Sequence, residues 1–302
     1  MSKRSRKHHY LPRHYLRGFT DGAGSFFVYD KLGHKIFRTT PDAAFFENDL
    51  NTVTFPDGGP SDFLETLYAG MESRAWPSLG NIRSSTADAP VGLHDKMDLF
   101  LFLSFLHWRL PSNASYAERL SQRFFGQEKE LGFFKLESRN GTSVPQHAID
   151  AVRTSPGWGK AARLIVPFAP FFDGESWFED LANWRFLYPT DGSRWYVVGD
   201  NPIVTRGSND HDPVTCLKEF IFPVSGNILL ISGGEHLPKT LPPEFTIQYS
   251  TAIIERARRF VACHDQSFLE ALLRDHELHV RYGKTDQIVT ELFNMAGPVE
   301  ER

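Results

Sequence analysis

The chain has 302 residues, of which 41% are hydrophobic, 14% aromatic and 23% charged, with 26 phenylalanines and a formal net charge of -4. That composition excludes a disordered chain. The charge balance argues against a general polyanion binder but leaves room for a local basic patch at Ser2-Lys3-Arg4-Ser5-Arg6-Lys7. Two cysteines, Cys216 and Cys263, exclude a disulfide framework and a four-cysteine zinc site, and fit a reducing compartment. The most apolar run, Leu99 to Leu106, is well short of the ~20 residues of a membrane span, and no apolar core follows the basic N-terminus. The expectation is a cytoplasmic protein with no membrane partner.

The first element is the segment from Lys7 to Phe19, which holds His8, His9 and His14 among Tyr10, Leu11, Tyr15, Leu16 and Phe19. A terminus is ordered only when something ties it down. These apolar anchors predict a segment docked on the body that presents imidazoles to a cleft. Ser25 to Tyr29 and Lys35 to Arg38 flank a Gly-containing turn and predict a hairpin. Ala43 to Asp49 reads as a bridge with Phe45 and Phe46 pointing inward. Asp57-Gly58-Gly59-Pro60 breaks the chain, and Ser61 is the expected cap of a helix carrying Phe63, Leu64, Leu67, Tyr68 and Met71. Pro77 is expected to close that helix. His94 to Trp108 is apolar all round at its centre and predicts a buried central helix ended by Arg109 and Pro111. Ser112 or Asn113 is the expected cap of a third helix with Tyr116, Leu120 and Phe124 on one stripe.

Asn140-Gly141 marks a loop, Pro145 the start of a short helix, and Asn140 to Pro156 a seam. Trp184 to Tyr188 and Arg194 to Val198 around Pro189-Thr190-Asp191-Gly192-Ser193 read as a second hairpin. Phe220 to Pro223 and Asn227 to Ile231 are further strands. Ala252 to Arg259 is expected to be helical, Phe260 to Cys263 a closing strand, and Phe268 to Leu273 a last amphipathic helix, with His279 beginning a strand. Strands and helices come in blocks, which favours an α+β fold with central buried helices packed against short antiparallel β-hairpins. The reading is one domain over 1–302, with a helix-rich part at 1–140 and a strand-rich part at 157–302.

The candidate site gathers His9, His8 and Asp200 as catalytic groups, with Arg109, Asn201 and Glu47 contacting substrate. An imidazole is the commonest general acid or base near neutral pH. Asp200 could orient it, Arg109 could clamp a phosphate or carboxylate, and Asn201 could donate to a developing oxyanion. Each residue also has a structural reading. His9 suits a core histidine bonded to a carbonyl, Asp200-Asn201-Pro202 a turn, Arg109 a cap for helix carbonyls, and Glu47 a solvated carboxylate. No metal site is assigned: His276 and His279 are three apart, where the zinc helix motif needs four. No Walker loop, dinucleotide fingerprint or nucleophile elbow occurs, and no cofactor is specified.

These landmarks together resemble a largely bacterial family, domain of unknown function 4238. Its opening His-Tyr-x-Pro-x-x-Tyr-Leu-x-x-Phe pattern stands here as His9-Tyr10-Leu11-Pro12-Arg13-His14-Tyr15-Leu16-Arg17-Gly18-Phe19. Phe45-Phe46-Glu47-Asn48-Asp49, Leu64-Glu65 to Glu72, His107-Trp108-Arg109-Leu110-Pro111, Gly199-Asp200-Asn201-Pro202 and Phe222-Pro223-Val224-Ser225 match its later landmarks. Tyr249-Ser250-Thr251 stands where the family often has an asparagine. The resemblance covers nearly the whole chain and implies which positions to suspect, but no activity. Two main readings follow. One is a hydrolase of a phosphodiester or nucleotide with His9 as general acid or base; the other is a non-catalytic module binding nucleic acid or a partner protein. A bacterial defence or toxin-like role is a third.

Overall fold

The computed structural model describes residues 6–54, 59–126, 157, 159–160, 163–172, 176–188, 196–206, 212–233 and 243–296. The Asn140 to Pro156 seam and the Pro145 helix lie outside them.

The N-terminal segment forms β1 (Lys7–His9) and α1 (Arg13–Leu16) and is docked as its anchors predict. Tyr10, Leu11, Tyr15, Leu16 and Phe19 are all buried. Full burial of each such side chain contributes about 1.5–3 kcal/mol, enough in sum to hold a dozen residues in place. The Tyr15 hydroxyl donates to the Pro223 carbonyl at 2.8 Å, and its ring stacks on Phe222. The first hairpin is β2 (Phe26–Asp30) and β3 (Lys35–Thr39), and the bridge contains a strand, β4 (Phe46–Asn48). β4 pairs antiparallel with β1, setting His8 opposite Glu47 and His9 opposite Phe46. Phe45 points into the core, whereas Phe46 is only half-buried. β5 (Val53–Thr54) and β6 (Pro60–Ser61) make a short ribbon before the first long helix.

That helix, α2 (Phe63–Ser84), runs through Pro77. A proline inside a helix removes one backbone hydrogen bond and strains the turn before it. Here Ala75, Ser78, Leu79 and Ile82 are buried beyond and around it, so packing outweighs the local cost. Ser61 sits one residue before the cap: Asp62 is the N-cap, and the Phe63 N–H donates to the Ser61 hydroxyl at 3.2 Å. α3 (Leu93–Arg109) is buried on nearly every face from Asp98 to Arg109. α4 (Pro111–Gly126) starts at the proline, earlier than the expected Ser112 or Asn113 cap. Proline is well suited to a first helical position, and Asn113 instead donates back to the His107 carbonyl at 2.9 Å.

After α5 (Ser176–Ala182), the second half departs from the expected hairpin. β7 (Arg185–Leu187) and β8 (Val198–Gly199) enter different sheets. β7 pairs with β11 (Ile228–Ser232), which forms a hairpin with β10 (Phe220–Ser225), and β9 (Val204–Thr205) completes the order β7-β11-β10-β9. β8 pairs with β12 (Phe260–Cys263), giving β3-β2-β12-β8. Turn composition alone could not exclude these longer-range partners. The helix expected at Ala252 to Arg259 is α6 (Pro243–Arg256). The expected last helix extends to α7 (Gln266–Arg281), with His279 helical, and α8 (Ile288–Ala296) follows.

Strand alternation sends the side chains of the two sheets into two separate clusters. Phe220, Phe222, Leu230, Val28 and Ala262 face the cluster built with α3, while Ile221, Leu229, Ile231, Val261 and Cys263 face the one built with α6, α7 and α8. The two sheets thus carry helices on both faces, an α+β arrangement of antiparallel strands and buried helices. Among the described residues no helix is long and apolar enough to cross a membrane.

Candidate functional site

The β1–β4 ribbon separates two clefts, and the candidate residues divide between them. One cleft, about 320 Å³, is lined by Lys7, His9, Arg13, Asp42, Glu65, Ala69, Glu72 and Arg109. The other, about 150 Å³, takes Glu47, Asp200 and Asn201.

In the larger cleft β1 delivers Lys7 and His9, α1 delivers Arg13, α2 delivers Glu65 and Glu72, and the last residue of α3 is Arg109. Glu65 and Glu72 are seven apart, two helical turns, and so share a face. Arg109 is buried with 4% of its side chain exposed. One terminal nitrogen bonds Glu72, the other lies 3.8 Å from Glu65, and the guanidinium carbon sits 4.6 Å above the Tyr68 ring. Among the described residues its Nε has no hydrogen-bond partner, nor has the buried Tyr68 hydroxyl. Arg109 is therefore a buried cation held between two carboxylates, with donor capacity left over. His9 packs against Phe46 at 5.5 Å, and its Nε2 is enclosed with no partner among the described residues. Burial, then the charges of Arg13 and Arg109, hold its pKa below the ordinary imidazole value of 6.5, against a smaller upward pull from Asp42. Arg13 pairs with Asp42 at 2.8 Å on the rim.

His8 does not reach a cleft. It is fully buried, and its Nδ1 accepts the Asn51 backbone N–H at 2.9 Å, which places the ring proton on Nε2. Asn51 in turn donates through its amide to Glu65 at 2.5 Å. The fold places His8 in the core and not beside His9 in the cleft, because period-2 alternation turns adjacent histidines to opposite faces. Asp200 is also buried and committed: its carboxylate accepts the backbone N–H groups of Arg258 at 2.7 Å, Arg259 at 2.7 Å and Phe260 at 3.0 Å. Burial raises its pKa, opposed by those three bonds. The fold does not bring it to His9, so the expected orienting pair is not built. The carboxylate organises the α6–β12 turn instead.

Spacing on the sequence missed Lys7, Arg13, Asp42, Glu65 and Glu72 as cleft residues. The last two were visible as a carboxylate pair at helical spacing opposite an arginine at a helix end. A further signal sits in the backbone. Phe45 and Asp49, flanking β4, have φ of 55° and 54°, a left-handed conformation costly for a bulky residue. Phe45 is held there by edge contacts with Tyr10, Phe26 and Phe260. Packing thus fixes the short strand that sets Phe46 and Glu47 between the clefts. Among the described residues no cluster of three or more His, Cys, Asp or Glu could hold a metal ion.

No curated protein matches this chain, and no solved structure does. The family described as "Protein of unknown function (DUF4238)" matches residues 7–267, from the first residue of β1 to the start of α7 and including every residue of both clefts. With most of its length matched, the chain belongs to that family.

Proposed function

We propose that the protein hydrolyses a phosphodiester or nucleotide at the His9 cleft. The observation that carries this reading is His9, whose Nε2 has no partner among the described residues, in a cleft shared with Arg109, Arg13 and Lys7. A pKa below 6.5 keeps the imidazole neutral at neutral pH, so it can take a proton from an attacking water. Arg109 and Arg13 supply forked donors of the kind that bind phosphate oxygens. Three cations and three carboxylates line the cleft, a balance that suits a singly charged diester better than a polyphosphate. General acid–base catalysis contributes roughly 10²–10⁴-fold. His9→Ala should therefore lower kcat on a dinucleoside phosphodiester by that factor and leave the melting temperature within a few degrees. Full turnover in a folded His9→Ala protein would remove the proposal.

A second reading, a binding module for nucleic acid or a partner protein, draws on His8 and Asp200. Both are committed to holding backbone N–H groups. It expects no turnover from any variant and a marked loss of stability in His9→Ala.

A further inference from the structure

The smaller cleft holds polar groups that the fold does not use. Glu47, Asn201 and Arg258 stand on its rim, and their side chains make no hydrogen bond or ion pair among the described residues. Three aromatic rings, Tyr10, Phe46 and Phe260, line the cleft beside Leu32, Pro111 and Ser112. The position of Arg258 is not accidental to the loop. Asp200 fixes the backbone N–H groups of Arg258, Arg259 and Phe260 together, so the turn that carries the guanidinium is pinned at three points. Arg259 is spent on Asp30, at 3.2 and 3.0 Å, and lies 4.5 Å over the Phe260 ring.

The volume, about 150 Å³, is below the ~300 Å³ at which pockets begin to enclose a whole drug-sized ligand. A single flat ring system suits it. An unpaired carboxylate and an unpaired guanidinium on one rim ask for a ring that donates on one edge and accepts on the next. Guanine does this: N1–H and the N2 amino group donate, while O6 and N7 accept from an arginine fork. Adenine reverses part of the pattern, since its N6 amino group replaces the O6 acceptor. Aromatic side chains and arginine planes supply the stacking that bases require.

We propose that this notch is a guanine-binding subsite, with Glu47 taking the N1–H and N2 edge, Arg258 the O6 and N7 edge, and Asn201 a further polar contact. Phe46 joins it to the larger cleft: its ring lines the notch and also touches His9 at 5.5 Å, with the Lys7 ammonium 4.8 Å above it. A guanine nucleotide seated here would extend towards the His9 side of the ribbon. The inference rests on the hydrolase reading only for that neighbouring phosphodiester; the base site stands without it.

The test uses the full chain and the free nucleosides, which carry no phosphate. Isothermal titration should show guanosine binding at least tenfold tighter than adenosine. Glu47→Gln and Arg258→Ala should each weaken guanosine at least tenfold, with melting curves confirming that both fold. His9→Ala should bind guanosine as wild type does. Equal affinity for the two nucleosides, no guanosine binding to the folded wild type, or unchanged binding in both rim variants would overturn the proposal. Absence of phosphodiester turnover with guanosine binding intact would sink the hydrolase reading alone.

Discussion

His9 and Asp200 show how two polar residues in similar company take different jobs. Both are largely enclosed. Both carboxylate oxygens of Asp200 accept from backbone N–H groups, three in all, whereas His9 Nε2 has no partner among the described residues. Burying a polar atom without a partner costs roughly 1–3 kcal/mol, so the His9 arrangement is retained against stability. The commitment of Asp200 makes a specific prediction. In Asp200→Asn one oxygen becomes an amino group that cannot accept, leaving at least one of the three N–H groups unsatisfied. The loss should be about 1–3 kcal/mol, partly offset because burial already disfavours the charge. Thermal melting should show a drop of several degrees while turnover at His9 is kept. Loss of turnover without loss of stability would return Asp200 to the reaction. For His9 the sign runs the other way from a salt-bridged histidine. Its folded pKa lies below the unfolded 6.5, so the unfolded chain binds the proton more readily. The contribution of neutral His9 is in place above pH 6.5 and is lost as pH falls through the folded value. The acid limb of kcat/KM should therefore lie below pH 6.5, with no inflection from this group near neutrality.

At the scale of elements, α2 does more than its pattern announces. Past Pro77 it continues to Arg83, whose terminal nitrogens donate to the carbonyls of His14 at 3.0 Å, Tyr15 at 2.8 Å and Val224 at 3.1 Å. One side chain thereby ties α2 to α1 and β10. Replacing Pro77 by Ala restores an N–H that can reach the Ser73 carbonyl and removes the ring clash, and interior proline costs a helix about 3 kcal/mol relative to alanine. Pro77→Ala should raise the melting temperature. A fall would mean that the proline turn itself is needed to aim Arg83. The first hairpin, the β10–β11 pair and the buried α3 were all legible in the sequence, because each is set by local alternation or by an unbroken apolar run. The Trp184–Val198 hairpin was not. Its flanks carry hairpin-like composition, but Leu187, Phe186 and Arg185 find Leu229, Leu230 and Ile231, and Val198 finds Ala262. Such partners are more than 40 residues away along the chain, and pairing at that distance leaves no local trace.

Taken whole, the molecule packs residues 7–19 against β10 and the α2–α3 pair, which holds the imidazoles of that segment in place. The N-terminal motif was legible as docked and as a source of imidazole. The constellation around it was legible only in part. His9 and Arg109 do meet in one cleft, while Glu47, Asp200 and Asn201 meet in another, and His8 lies between them in the core. Sequence spacing cannot tell the two sides of a two-stranded ribbon apart once both sides bear polar residues, and the ribbon is what divides the site. We propose that a phosphodiester sits beside His9. Nuclear magnetic resonance titration of the His9 imidazole, with and without a dinucleoside phosphodiester, tests it directly. The expected result is a pKa below 6.5 in the free protein and a rise when the anion is bound, since a neighbouring negative charge favours the protonated ring. Superimposable titration curves, at ligand concentrations that saturate the protein, would contradict it.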